Sequence, residues 1–187
     1  MYTTAYDRQL VVSNGQVVLV RGFSPGDASL LIRIFEGLSP TSRRYFRPHR
    51  FTPEGAAEVI GTASDPNGIY FIALAGAGEP VGYGYLHDLR SGLPELGIAI
   101  TDRWQNRGVG KEFVQFLVGV AEHLGMDGVS LSVDDDNVPA ICTYERAGFE
   151  LIRKIRQMRL VFPKHPRQEV GEGDSQGAAV GRPNIDH

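Results

Sequence analysis

The chain has 187 residues, of which 42% are apolar and 22% charged, the proportions of one soluble globular domain with a full core. A net charge of −3 argues against a general nucleic-acid binder, and the single cysteine, Cys142, excludes an internal disulfide. No apolar run is long enough to span a bilayer, and the first residues lack a signal-peptide pattern, so no membrane partner and a cytoplasmic location are expected.

Residues 1–14 read as an N-terminal arm ending in the turn-like Ser13-Asn14-Gly15. Gln16 to Phe23, rich in valine, reads as a strand. Ser24-Pro25 starts a helix with a buried stripe of Leu30, Leu31, Ile34, Phe35 and Leu38. Ser39-Pro40 starts a short second helix, and Thr52-Pro53-Glu54 a third running to about Thr62. Asp65 to Gly68 is a turn, followed by a buried strand from Ile69 to Ala75, a hairpin loop from Gly76 to Pro80 and a strand from Val81 to about Asp88. A turn around Arg90 to Pro94 leads into a strand from Glu95 to Ile100. Four strands joined by hairpin-like connections precede the main helix, so the sheet cannot be wholly parallel.

That helix runs from about Gly108 to Gly125, with Val109, Phe113, Phe116, Leu117, Val120, Ala121 and Leu124 on one stripe. Val129 to Val133 alternates as a strand, Asn137 to Ala147 is a helix ended by Gly148, and Phe149 to Phe162 supplies one or two final strands. Residues 15–162 thus form one α/β domain with a mixed, mostly antiparallel sheet flanked by helices. Residues 163–187, rich in Gly, Pro, Gln, Glu and Asp, read as a mobile tail without a core.

The junction between Ile98 and Gly110 is the most informative segment. A strand stops, a polar turn follows, and two glycines open a helix, which turns unpaired backbone N–H groups toward one point. With Arg103, Arg107 and Lys111 around it, the junction suits a phosphate or pyrophosphate. A Walker A loop would need Gly at Gln105 and Ser or Thr at Glu112, and a dinucleotide fingerprint starting at Gly108 would need Gly or Ala at Phe113. Both fail. Gln105-x-x-Gly108-x-Gly110 instead resembles the Q/R-x-x-G-x-G/A acyl-CoA motif of the GNAT family of N-acetyltransferases, and Asn137 to Phe149 resembles its N-x-x-A-x-x-x-Y-x-x-x-G-F block. The ordered pair covers roughly Pro94 to Leu160.

The resemblance implies the GNAT acyl-CoA N-acyltransferase fold. It also implies acetyl-CoA as cosubstrate, no metal, and acetyl transfer to a primary amine of a small molecule or peptide by direct attack in a ternary complex. The alternative is a non-catalytic acyl-CoA-binding or sensing module on the same fold. Backbone amides of Gln105, Asn106, Arg107, Gly108, Val109, Gly110 and Lys111 would hold the pyrophosphate, with the two glycines letting the ligand approach. By resemblance, Ile98, Ala99 and Ile100 would pair with the pantetheine arm, a backbone N–H near Ile100 would stabilise the oxyanion, and Asn137 would contact the arm. Asn137 could also cap its helix, with Asp136 as competing cap, and the two roles can hold together. Tyr144 takes the position of the acid that protonates the departing thiolate, and Glu95 that of the general base. Alternation puts Glu95 on one face with the small Gly97 and Ala99. His87 and Asp88 are reserve bases, and Cys142 reads as a small buried side chain. The basic, aromatic run from Arg43 to Arg50 would form one wall of the acceptor site or pair with acidic neighbours on a solvated face. No nucleic-acid partner is expected, and a homodimer stays open.

Overall fold

The computed structural model describes residues 5–13 and 15–154. A hairpin of Arg8–Val11 (β1) and Val17–Gly22 (β2) comes first, then a single 3-10 turn at Pro25–Asp27 and the helices Ala28–Glu36 (α1), Pro40–Tyr45 (α2) and Pro53–Thr62 (α3). Gly68–Ala75 (β3), Glu79–His87 (β4) and Glu95–Ile100 (β5) follow as a meander, and Val109–His123 (α4) and Val138–Arg146 (α5) close the order. The sheet runs β1-β2-β3-β4-β5, each strand antiparallel to the next. All these elements belong to the unit Met1–Glu150; in the second unit, Leu151–His187, residues 151–154 are irregular and exposed.

β1 lies inside the expected N-terminal arm. It is short, starts with a charge, and buries only Leu10, the composition of an edge strand that yields little periodic signal. Its partner β2 shows clean alternation, burying Val18 and Val20 while Val17 and Leu19 face solvent. β3 is buried on both faces and therefore carries two cores. Ile69, Phe71 and Ala73 pack with Phe113, Phe116 and Leu117 of α4 on one side. Tyr70 and Ile72 pack with Leu31, Ile34 and Phe35 of α1 and with Val59 and Ile60 of α3 on the other. The α4 stripe expected from its spacing is the buried one, apart from Leu124, which is exposed just beyond the helix end.

The segment expected as a strand at 129–133 joins the sheet at one parallel bridge, Glu95 to Ser130, which is the mixed part of the sheet. Leu96 N donates to Ser130 O at 2.8 Å and Ser130 N to Pro94 O at 2.9 Å. A strand needs a partner at every second residue, and past Ser130 no backbone pairing with β5 continues among the described residues. Of the final strands expected in 149–162, residues 149–154 form none, and 155–162 lie outside the described residues.

The turn into α1 is fixed by an ion pair under the sheet end. Asp27, 4% exposed, accepts from both Arg21 guanidinium nitrogens at 2.7 Å and from Ser24 N at 2.7 Å. Burial opposes its ionisation, but the Arg21 and Ser24 hydrogen bonds outweigh that and hold the carboxyl below its ordinary value. A depressed folded value contributes stability above the unfolded value of about 3.9, lost as pH falls through the folded one. Asp27→Asn is therefore expected to cost about 2 kcal/mol at pH 7, because it strands a partly solvated Arg21. The melting-temperature gap to the parent chain should close in acid below about pH 4; a gap constant with pH would exclude this role.

Candidate active site

The loop between β5 and α4 presents a row of unused donors. Among the described residues, the amides of Asn106, Arg107, Gly108, Val109, Gly110 and Lys111 donate to no backbone or side-chain acceptor, and the first helical bond is Glu112 N to Gly108 O. Gln105 differs, since its amide donates to Asp102 O. Its side chain is also engaged: Gln105 Nε2 donates to Ile100 O at 2.9 Å and to Ser42 Oγ at 3.1 Å. Gln105 thus fastens the end of β5 to α2 rather than pointing a side chain at a ligand.

The two glycines of the motif do different things. Gly108 has φ +81°, and a Cβ there would overlap the Ser13 hydroxyl of the β1–β2 turn, whose amide donates to Arg107 O at 3.1 Å. That glycine is required by the hairpin beneath the loop. Gly110, in the first turn of α4, has no atom within 4 Å of a Cβ, so a side chain there would meet open space. The cations are held around it. Arg107 lies over the Trp104 ring at 5.4 Å, Trp104 Nε1 donates to Glu79 at 3.1 Å, and Arg103 pairs with Glu79 at 2.9 Å. Lys111 pairs with Glu112 at 3.2 Å.

β5 continues this donor row along its outer edge. Since Leu96 N points to Ser130 and Thr101 N to Val81 O, alternation turns the N–H and C=O of Ile98 and Ile100 away from β4. Ile100 O is taken by Gln105; the Ile98 groups and Ile100 N–H are unpaired among the described residues. Ala99 faces the other way, with its main chain directed at β4 opposite Tyr83. Past Ser130 the 131–133 segment makes no backbone pair with this edge among the described residues, and the unpaired stretch, a wedge, leads to the loop at 105–111.

Tyr144 of α5 stands on the α4 side of the wedge, half-buried and 5.7 Å from the Phe149 ring. Burial pushes its phenol up to about 12, so it keeps its proton throughout the neutral range. Asn137 precedes α5 without a side-chain capping bond, and Asp136 does not cap either, so the polar start of this helix is not consumed by capping. Glu95 is exposed at the start of β5, opposite His87. It shares its face with Gly97 and Ala99, as alternation requires. His87 lies 3.3 Å from the Tyr70 hydroxyl, and Asp88 accepts from Asn67 Nδ2 at 3.3 Å.

One group of residues on the Glu95 face escaped the sequence reading. Tyr85 of β4 lies across Gly97, where a Cβ would fall inside its ring. Tyr70 stacks on it at 5.5 Å, Phe46 approaches to 6.3 Å, and Tyr83 beneath is fully buried, its hydroxyl bonded to His49 Nε2. Burial raises the Tyr85 phenol, with Glu95, Tyr70 and Tyr144 adding to the effect, so Tyr85 lies within electrostatic reach of both candidate proton-transfer groups. The signal was present as a pattern: Tyr83 and Tyr85 face Ala99 and Gly97 across the ladder, a large side chain over a small one.

The basic run is largely committed to the protein itself. Arg43 donates to Phe35 O and Leu38 O, Arg44 pairs with Asp136, and Arg47 pairs with Asp134 at 3.5 Å. α2 is thereby tied to the segment before α5. At its other end Asp102 accepts from Ser42 Oγ at 2.7 Å and from Ser39 N at 3.3 Å. Cys142 is a half-buried free thiol. Among the described residues, no group of His, Cys, Asp and Glu could hold a metal ion, and no helix is long and apolar enough to cross a membrane.

Comparison with known proteins agrees with this geometry. The model of the acetyltransferase (GNAT) family matches residues 32–149. The L-amino acid N-acetyltransferase AaaT of Escherichia coli strain K12 is 36% identical over 63 residues, 33% of this chain and 39% of that protein. A phospho-2-dehydro-3-deoxyheptonate aldolase of Thermotoga maritima is 25% identical over 156 residues, 75% of this chain and 46% of that protein. The matches thus span less than half the length of these curated relatives. Among solved structures, the GNAT domain of S. lividans PAT superposes with a TM-score of 0.72 at 20% identity, over 83% of this chain and 94% of that one.

Proposed function

This chain belongs to the acetyltransferase (GNAT) family, and we propose that it transfers an acetyl group from acetyl-CoA to a primary amine of a small molecule or peptide. The observation that carries this reading is the continuity of donors. The unused amides of 106–111 at the start of α4 run into the unpaired edge of Ile98 and Ile100. A pyrophosphate followed by an extended, amide-bearing arm has that shape and polarity. A nucleotide triphosphate would use the loop and leave the β5 edge unpaired. The name of the AaaT relative supports an amine acceptor.

In the reaction the amine nitrogen bonds to the thioester carbonyl carbon, the C–S bond breaks, and CoA leaves as a thiolate. The remaining steps fall to side chains of this protein. An alkylammonium must first lose a proton, at a cost of about 4–5 kcal/mol at pH 7. Glu95 accepts it, directly or through water, and passes it to solvent; the nitrogen's second proton, released as the amide forms, leaves by the same route. Ile100 N–H, on the open edge, stabilises the oxyanion. Tyr144 gives its proton to the thiolate and regains one from solvent. Asn137 holds the arm beside it.

Calorimetry and thermal shift with CoA, acetyl-CoA and ATP test the donor. At a hundredfold excess over Kd, a ligand adds about 2.7 kcal/mol and raises the melting temperature by about 5–10 °C. Acetyl-CoA and CoA should give this shift, and stabilisation by ATP alone would sink the reading. Transfer of labelled acetyl to an amine panel separates the enzyme from a non-catalytic acyl-CoA module, which would bind and transfer nothing.

A further inference from the structure

The Glu95 face of the wedge has a chemical character of its own, and it bears on the acceptor. We propose that the acceptor is a primary amine carried on a short carbon chain with an aromatic ring and no carboxylate beside the nitrogen, its ring seated on Tyr85 and Phe46. The inference rests on the acetyltransferase reading above and specifies its substrate.

Three observations lead to it. The first is the aromatic surface. Tyr85 and Phe46 are only partly buried, with ring centroids 6.3 Å apart, and they lie over a fully buried Tyr83. Tyr83 meets Phe46 edge-on at 5.5 Å, and Tyr70 backs Tyr85 at 5.5 Å. Four packed rings form a platform of which Tyr85 and Phe46 are partly exposed, suited to offset or edge-to-face stacking of another ring.

Second, the platform has room by design of the sheet. Gly97 sits under the Tyr85 ring and Ala99 next to it. These small side chains on β5 set the platform low beside the open edge, so a ring resting there carries its amine on a short chain toward the wedge.

Charge is the third. Glu95 begins the strand on this same face, close enough to act on the Tyr85 phenol. It attracts the arriving ammonium and repels a carboxylate on the neighbouring carbon. Three cations of the 43–50 run are engaged elsewhere: Arg44 is paired with Asp136, Arg47 with Asp134, and Arg43 with helix carbonyls. Both 2-phenylethylamine and an α-amino acid bring an ammonium that Glu95 attracts, but the amino acid also brings a carboxylate that Glu95 repels.

The experiment compares kcat/KM for 2-phenylethylamine, L-phenylalanine and n-butylamine with acetyl-CoA as donor, alongside acetyl-CoA affinity by calorimetry. The aromatic amine should exceed each of the other two by about tenfold or more, the factor a stacked ring and a removed like charge supply. Phe46→Leu and Tyr85→Leu should each erase most of the preference over butylamine while acetyl-CoA affinity stays unchanged; two variants guard against one failing to fold. Equal use of all three amines, a preference for phenylalanine, or acetyl-CoA binding with no aromatic amine acetylated would overturn the inference and leave the donor site standing. Failure to bind acetyl-CoA would overturn both.

Discussion

Replacing Gly110 with glutamate should abolish CoA binding and leave the fold at least as stable as before. The new side chain points into open space, with no atom within 4 Å of its Cβ. Removing a glycine from a helix gains about 0.5–1 kcal/mol, and a carboxylate in the first turn gains a few tenths more from the helix dipole. The same carboxylate is attached to one of the residues whose amides are unused, beside the proposed phosphate site. A negative charge about 4 Å from a phosphate costs about 4 kcal/mol at the effective dielectric near a protein surface. CoA affinity should therefore fall by more than about 100-fold while the melting temperature holds or rises. Calorimetry and thermal melts read the two effects separately, and wild-type affinity would remove the loop from the donor site. Gly108→Ala should behave in the opposite way, failing through stability, because its Cβ meets Ser13 and its φ is +81°.

Tyr144→Phe should lower kcat by about 100-fold with little change in acetyl-CoA affinity, the low end of what a positioned acid contributes. The substitution removes one oxygen and keeps the ring against Phe149. With its phenol at about 12, Tyr144 stays protonated across the assay range, so any alkaline fall in rate near pH 9 belongs to another group and should persist in the variant. Unchanged turnover in stopped assays with a saturating amine would end the acid assignment.

Much of this was legible before any coordinates. β3, β5, α3 and α4 fall within a residue or two of their expected bounds because their apolar spacing is strong and their ends carry Pro, Gly or Asn signals. The family was legible because two spaced motifs have to agree in order, which a single glycine loop does not demand. What escaped depends on neighbours distant in sequence. The Gln105 side chain is held by Ile100 O and Ser42, partners that the motif's own spacing does not announce. Gly108 reads from the sequence as room for the ligand, and the structure adds that its Cβ would also meet Ser13. The strand expected at 129–133 alternates correctly, but alternation says nothing of whether a partner is within reach, and only Ser130 finds one. Tyr85 escaped because aromatic residues in a strand usually serve the core; only the register with Gly97 sets it apart.

The two cores of the sheet have a consequence for traffic. The amide row belongs to the α4 side, where Ile98, Ile100 and Tyr144 also pack, whereas Tyr85 and Phe46 belong to the side covered by α1 and α3. On the proposed reading, donor and acceptor enter the wedge through opposite doors. Neither has to pass the other, and a spent thiol can depart while the acylated amine is still seated. A bulky acceptor, even one hung from a larger body, would leave the cosubstrate's doorway clear.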